Sequence, residues 1–329
     1  MTRARMAVAV LTAAAVVLAG GCHEPPEAVQ RLFEDVAAST GFRYGAKDST
    51  GAGLDGLKIV ERDTGGYLGV YHTLRNGAFE VRLATSENLL DWTYAATLAP
   101  NADMPALAQV PGEAGFLLAH EQWMSPGGGE CRIAVRHYAS EDALRAGRCD
   151  RVFLAPKTLS TLEGTPSIDA IDVAADMLTL GFHYYDHERG VDRAAEGRLT
   201  GFLRGDKPLW KTNERGAYER KLVRRGVRGN IGDRDGGMLR GRRYELQEGQ
   251  LEKGEWASWR MWLYDAGRRR FHPLDVRTHG GSTSFGNGTF TVLRAPSGRP
   301  AVVVTYFLFA EGAAEGEAGE LIFYTECDE

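Results

Sequence analysis

Five polar residues open successive segments of this 329-residue chain, each beside glycine or proline: Asp55, Asp103, Glu163, Asn230 and Asn287. If those segments are sheets arranged radially, the first strand of each lines a common axis. The five side chains then meet at one mouth. Grouped carboxyls suit proton chemistry. Glycoside hydrolysis uses two of them, about 5 to 9 Å apart, one protonated and one ionised, and crowding separates their pKa values. Asp55, Asp103 and Glu163 are the catalytic candidates, with Asn230, Asp233, His279 and Asn287 as candidate ligand contacts. The same oxygens would suit calcium at the axis, which takes about six to eight oxygen ligands, although no calcium-loop motif is present. Two further readings stay open: a glycan-binding mouth without catalysis, and simple turn capping by Asp and Asn.

Other chemistry-bearing stretches read more plainly. His183 and His187 flank Asp186 in a segment that suits a strand end and turn. Ser282 and Ser284 lie among glycines, but there is no Gly-x-Ser-x-Gly elbow, so a serine hydrolase is excluded. The Gly232–Gly237 run lacks full calcium-loop spacing and reads as a turn. Arg215, Arg220, Lys221, Arg224, Arg225 and Arg228 form a basic run. It would meet anionic lipid or acidic polysaccharide, but the interleaved Glu214 and Glu219 favour a solvated loop. Trp256, Trp259 and Trp262 are either core or a sugar-stacking platform.

The elements that must position these residues are short strands. Leu54 to Trp92 alternates apolar and polar residues between an Asp63-Thr64-Gly65-Gly66 turn and an Asn76-Gly77 turn. That is the signature of a small antiparallel sheet. Four later segments share its outline, at intervals of roughly 50 to 70 residues, the spacing of propeller blades. Their aromatic second strands are Gly115 to His120, Met177 to Tyr185, Arg242 to Leu246 and Pro300 to Phe309. One such sheet cannot bury both faces. Five stacked about an axis can, with Trp92, Trp123, Trp210 and Trp262 filling the gaps. The expected fold is all-β, a five-bladed β-propeller over residues 51–329 with a short N-terminal helix. A β-sandwich or open meander is the competing architecture. Glu27 to Ser39 carries the helix, and Gly41 to Gly53 could supply a strand that helps close the ring.

The first 21 residues read as an export signal: Arg3 and Arg5, then an Ala/Val/Leu run shorter than a membrane span, then small residues. Leu18-Ala19-Gly20-Gly21-Cys22 resembles a bacterial lipobox, which makes Cys22 the lipidation site of an exported lipoprotein. The chain would be tethered to a bacterial membrane, at the cell surface or on the periplasmic side, through residues 22–50. Export permits disulfides, and Cys131 with Cys149 is the favoured pair, leaving Cys327 odd. Net charge of −5 and a pI near 6.0 give no basic domain, so no nucleic-acid partner is expected.

The first blade resembles the five-bladed propeller superfamily of family 43-like, arabinanase-like glycoside hydrolases. Tyr67 to His72 and Ala84-Thr85-Ser86-Glu87-Asn88-Leu89-Leu90-Asp91-Trp92 resemble the strand and Ser-x-(Asp or Asn)-Leu-x-x-Trp turn of those enzymes. Asp103-Met104-Pro105-Ala106-Leu107 is similar to the Trp-Ala-Pro-Glu segment opening their second blade. The resemblance implies a base at the start of blade one, a tuning Asp opening blade three and an acid Glu opening blade four. Asp55 matches the base position, Glu163 stands where the tuning Asp is usual, and Asn230, with Asp233 and Asp235 nearby, stands where the acid should be. His279 would match a blade-five histidine near a central metal. With no acid at Asn230 the implied catalytic set is incomplete. The expected function is therefore carbohydrate engagement at the axial mouth by a monomer, with hydrolysis undecided. The alternative is a cell-surface scaffold that binds a protein through its loops.

Overall fold

The computed structural model describes residues 26–126 and 128–327. The signal segment and Cys22 lie outside the described residues. Among those described, no helix is long and apolar enough to cross a membrane.

Five four-stranded antiparallel sheets form a ring. The chain enters through α1 (Pro26–Glu34) and β1 (Gly41–Arg43). Blade one is β2 (Asp55–Glu61), β3 (Tyr67–Arg75), β4 (Ala78–Ser86) and β5 (Thr93–Pro100). Blade two is β6 (Ala102–Gln109), β7 (Phe116–Ser125), β8 (Gly128–Tyr138) and β9 (Arg151–Leu154), with α2 (Glu141–Arg145) before β9. Blade three is β10 (Glu163–Asp172), β11 (Met177–Asp186), β12 (Val191–Thr200) and β13 (Leu209–Glu214). After α3 (Gly216–Val223), blade four is β14 (Arg234–Leu239), β15 (Arg242–Gln250), β16 (Trp259–Asp265) and β17 (Arg270–Pro273). Blade five takes β18 (Phe285–Arg294), β19 (Pro300–Leu308) and β20 (Gly319–Glu326) from the C-terminal end, and β1 as its outer strand. Gly41 pairs with Tyr324 and Arg43 with Ile322, so the ring is closed by strand pairing between the two ends of the chain.

Strand periodicity explains the stacking. In β3, Leu68 and Val70 face blade two, where they meet Leu107, Phe116 and Leu118. Tyr67 and Tyr71 face the other way, toward Ala301, Val303 and Ile322 of blade five. Each seam between blades has its own apolar cluster. A buried side chain of this size contributes about 1.5–3 kcal/mol and an exposed ion pair about 0.2–1 kcal/mol, so the seams hold the ring together rather than its surface salt bridges. Two indoles need glycine opposite them. A Cβ on Gly69 would press on Trp92, and one on Gly197 would overlap Trp210.

Four expectations are corrected. The helix ends at Glu34 rather than Ser39, because Glu34 and Val36 exchange backbone hydrogen bonds with Arg277. The basic run after Glu214 carries a helix over its first half, α3, with Arg215 and Arg224 as its caps and buried Tyr218 and Leu222 pinning it. Trp123 is half-buried at the rim, not a core filler. Cys131 and Cys149 are both free. Cys131 lies opposite Trp123 in the sheet, whereas Cys149 touches Arg136, five residues further along β8. That is about 17 Å of strand, against a disulfide reach of about 7 Å between Cα atoms.

Candidate functional site

The first strands of four blades carry a bulge just after their start, at Asp55/Lys58, Asp103/Ala106, Gly164/Ser167 and Gly286/Thr289. In each bulge one residue takes a positive φ: Gly56 at 64°, Met104 at 46°, Thr165 at 50° and Asn287 at 48°. That backbone is sparsely populated for non-glycine residues and costs about 1 kcal/mol or more. In every case the backbone N–H is bonded by a side chain of the preceding blade. Glu320 accepts from Gly56 (3.1 Å) and Leu57 (3.1 Å), and His72 Nδ1 from Met104 (3.4 Å). Glu121 accepts from Thr165 (3.1 Å), and Glu248 from Asn287 (2.5 Å). Bulges and caps together turn the strand openings toward one end of the axis.

The acids gathered there are Asp55, Asp103, Glu121, Asp233, Glu248 and Glu320. Asp55 is paired across the ladder with His72, and Asp103 with Glu121. Burial pushes the Asp55 carboxyl up to about 6. Burial, and then the charge of Glu121, push Asp103 up to about 8. Asp103 Oδ2 accepts from the Trp123 indole N–H at 3.0 Å, and its buried Oδ1 has no partner. Burial raises Glu248 to about 7, against the lowering effect of the Asp233 and Asn287 N–H groups. Asp233 and Glu320 are raised well above the usual carboxylate range, by burial first and then by Glu248 and Asp55 respectively. Burial holds neutral His72 down at about 4. Burial thus raises Asp55, Asp103, Asp233, Glu248 and Glu320, and Asp55 and Asp103 to different extents; carboxyls whose pKa values are separated can divide acid and base roles.

Cations lie just below the acids. Lys58 Nζ donates to Asp235 Oδ2 at 2.5 Å and to the Phe290 carbonyl at 2.7 Å. Arg234 is buried and donates to Asp169 at 2.6 Å. The gap along the axis between Gly56, Met104, Pro166 and Asp233 is only about 10 Å³, room for about one water. Beyond Lys58 the channel widens to a cavity of about 300 Å³ lined by Gln109, Ile168, Met238 and Val292. A ligand larger than water at the acid end would therefore lie across the rim rather than in the channel. Among the described residues, no group of three or more His, Cys, Asp or Glu is placed to hold a metal ion.

Of the sequence candidates, Asp55, Asp103, Asp233 and Asn287 belong to this end of the axis. Glu163 is turned onto its own loop. Its Oε1 accepts from the backbone N–H groups of Thr158, Leu159 and Ser160, and the residue is fully buried. The register position matching Asp55 and Asp103 in blade three is Gly164, opposite His183. Asn230 is a staple between blades, accepting from Asp192 N at 3.0 Å. His279 is exposed on the outer edge of blade five, stacked on Phe42 (ring centroids 4.3 Å apart) and bonded to Tyr44. Its loop is held outward by Glu317, which accepts from Thr278, Gly280 and Ser282.

Sequence reading missed Glu121, Glu248 and Glu320, because they sit in second and third strands and not in strand openings. The available signal was an acid inside an otherwise apolar or aromatic strand, as in Leu117-Leu118-Ala119-His120-Glu121. The rim adds aromatic surface. Trp256 is 51% exposed beside Trp259 and Phe309, and a Cβ on Gly286 would lie 2.6 Å from the Phe309 ring and 2.8 Å from Glu248 Oε2. Between blades one and two, Leu74, Phe79 and Trp123 line an apolar groove of about 350 Å³.

No protein-family model and no curated protein matches this sequence. Solved structures match it in fold. A glycoside hydrolase aligns with TM-score 0.58 at 12% identity, over 93% of this chain and 96% of its own. A thermostable family-43 glycoside hydrolase aligns with TM-score 0.57 at 12% identity, over 87% of this chain and 93% of that one. An endo-arabinanase of family 43 from Bacillus licheniformis gives 0.53 at 12%, over 87% and 98%. The chain has the five-bladed propeller architecture of these family 43-type glycoside hydrolases.

Proposed function

We propose that this protein engages carbohydrate across the acid end of its axis, with Asp103 and Asp55 as the pair able to handle protons. The observation that carries the reading is Asp103. It is a buried carboxyl with one oxygen oriented by Trp123 and the other unpartnered. With its pKa near 8 it is a proton donor at neutral pH, while Asp55, near 6, is mostly ionised there. Sugar hydroxyls complement such a mixture of donors and acceptors. The exposed Trp256 and the half-buried Trp123 offer flat apolar faces to sugar rings. The likeness to glycoside hydrolases supports the substrate class by analogy only. The axis has its own cations, Lys58 and Arg234, so the residues present do not suit calcium, and the reading involves none.

A glycan array with a reducing-sugar release assay tests this on wild type, Asp103→Asn and Asp55→Ala. Binding with release that both variants abolish supports hydrolysis. Binding without release leaves a glycan reader. Neither activity on any glycan ends the carbohydrate reading.

The groove at Leu74, Phe79 and Trp123 favours a second reading, in which the rim docks a protein partner, since Leu74 is 60% exposed. In that case an exported protein co-purifies with wild type and not with Leu74→Glu. The same proposal includes export and lipid anchoring at Cys22, which mass spectrometry of the membrane fraction would detect as an acylated N-terminus.

A further inference from the structure

A second concave site lies in the seam between blades three and four, toward the end of the ring opposite the acids. Strand direction sets its position. β14 starts at the acid end and its neighbours alternate, so the turn after Asp265, which carries Arg269, falls at the far end. The cavity measures about 390 Å³ and is lined by Arg215, Lys221 and Arg269 with Tyr218, Tyr264 and Glu214.

Its cations are held in place by the fold. Tyr218 and Leu222 bury one face of α3 against Tyr264 and Phe271. The basic residues of α3 are left on the other face or at its edge. Arg215 stacks on the Tyr218 ring at 3.7 Å and is paired with the buried Glu245 at 3.0 Å. Lys221 Nζ lies 5.5 Å from the Tyr264 ring centre and spends one proton on the Arg269 carbonyl at 2.6 Å. Arg225 reaches back to the Lys221 and Phe271 carbonyls. Lys221, Arg225 and Arg269 thus lie close together: Lys221 and Arg225 donate to carbonyl oxygens and sit over the Tyr264 and Phe271 rings, and among the described residues lining the cavity Glu214 is the one acid. Partial burial and then Arg269, Arg225 and Arg215 hold the Lys221 ammonium below its ordinary pKa. Like charges so close are costly unless an anion joins them.

We infer that this seam binds a phosphate-class oxyanion, through Lys221 and Arg269, with room beside it for the group that carries the phosphate. Guanidinium and ammonium donors converging on one cavity are the usual recognition chemistry for such groups. The phosphate could be free or on a small molecule, or it could be a lipid headgroup. The site is independent of the carbohydrate reading.

The test is calorimetric titration of the full chain with inorganic phosphate, together with co-sedimentation on phosphatidylglycerol and phosphatidylcholine vesicles. Wild type, Lys221→Gln, Arg269→Gln and, as a control at the acid end, Asp55→Asn are compared. Phosphate binding that weakens at least tenfold in the two seam variants and holds in the control supports a soluble phosphate ligand. Binding only to phosphatidylglycerol vesicles, lost in the same variants, supports a headgroup. Melting curves confirm that the variants fold, and chemical-shift changes at Ala217 and Arg269 in labelled wild type provide a readout without mutation. No phosphate or vesicle binding, or binding unchanged in both seam variants, overturns the proposal.

Discussion

The Glu248 carboxylate of blade four accepts the backbone N–H of Asn287 in blade five. Its other oxygen accepts from Asp233 N at 2.8 Å. One buried side chain thus stabilises a positive-φ residue in the next blade and ties down the opening of its own. The cap on the next blade recurs at the other three bulges, made by Glu320, His72 and Glu121. The acids at this end therefore have two jobs, and mutations there must be read with both in mind.

The pH dependence of stability follows from the raised carboxyls. A group whose folded pKa exceeds its unfolded value, about 4 for a carboxylate, stabilises fully below the unfolded pKa. That contribution is lost as pH rises through the folded pKa. For Asp103 the loss runs from about 4 to about 8, and for Glu248 to about 7. The melting temperature should fall between pH 5 and pH 8 and level off above. Asp103→Asn should flatten that slope, and a slope unchanged in the variant would mean that Asp103 titrates normally.

Lys58 and Asp235 form a nearly buried ion pair beneath the acids. Removing one partner of such a pair typically costs about 3–5 kcal/mol, because the other charge is stranded. Lys58→Met should lose that much in urea unfolding, and Lys58→Met/Asp235→Leu should regain most of it. A double variant no better than the single would show that packing, not charge, is at stake.

Glu163 should matter for stability alone. Glu163→Ala orphans the N–H groups of Thr158, Leu159 and Ser160, each worth about 1–3 kcal/mol if left buried and unsatisfied. Unfolding free energy should drop by at least about 1–3 kcal/mol, with any glycan affinity unchanged. Loss of affinity at full stability would return Glu163 to the site.

Trp256 offers the opposite test. It is largely exposed, so Trp256→Ala should leave the melting temperature within about 2 °C of wild type, since surface changes are usually within about 0.5 kcal/mol. Glycan binding should weaken about tenfold if the indole stacks on sugar. Unchanged binding would remove the aromatic rim from the site.

The chain alone was enough to show the repeat. Period-two alternation, Gly and Asn turns and spaced aromatic strands require small sheets that can bury their faces only against one another, so five blades were legible before any coordinate. Asp55 and Asp103 were legible too, because a strand opening is local: the turn, the acid and the first apolar residue are neighbours in sequence. What the tertiary structure decided was which of the polar residues face the axis. Glu163 turns back onto its own loop, His279 is drawn to the outer edge by Glu317, and Cys149, in the loop before β9, meets β8 at Arg136, five residues along the strand from Cys131. Glu121, Glu248 and Glu320 come to the axis from strands that read as ordinary blade interior. The physical reason is that a side chain's direction depends on bulges, on the sign of φ and on hydrogen bonds to a neighbouring blade that can be hundreds of residues away, as Glu320 is from Gly56. No local pattern records those contacts.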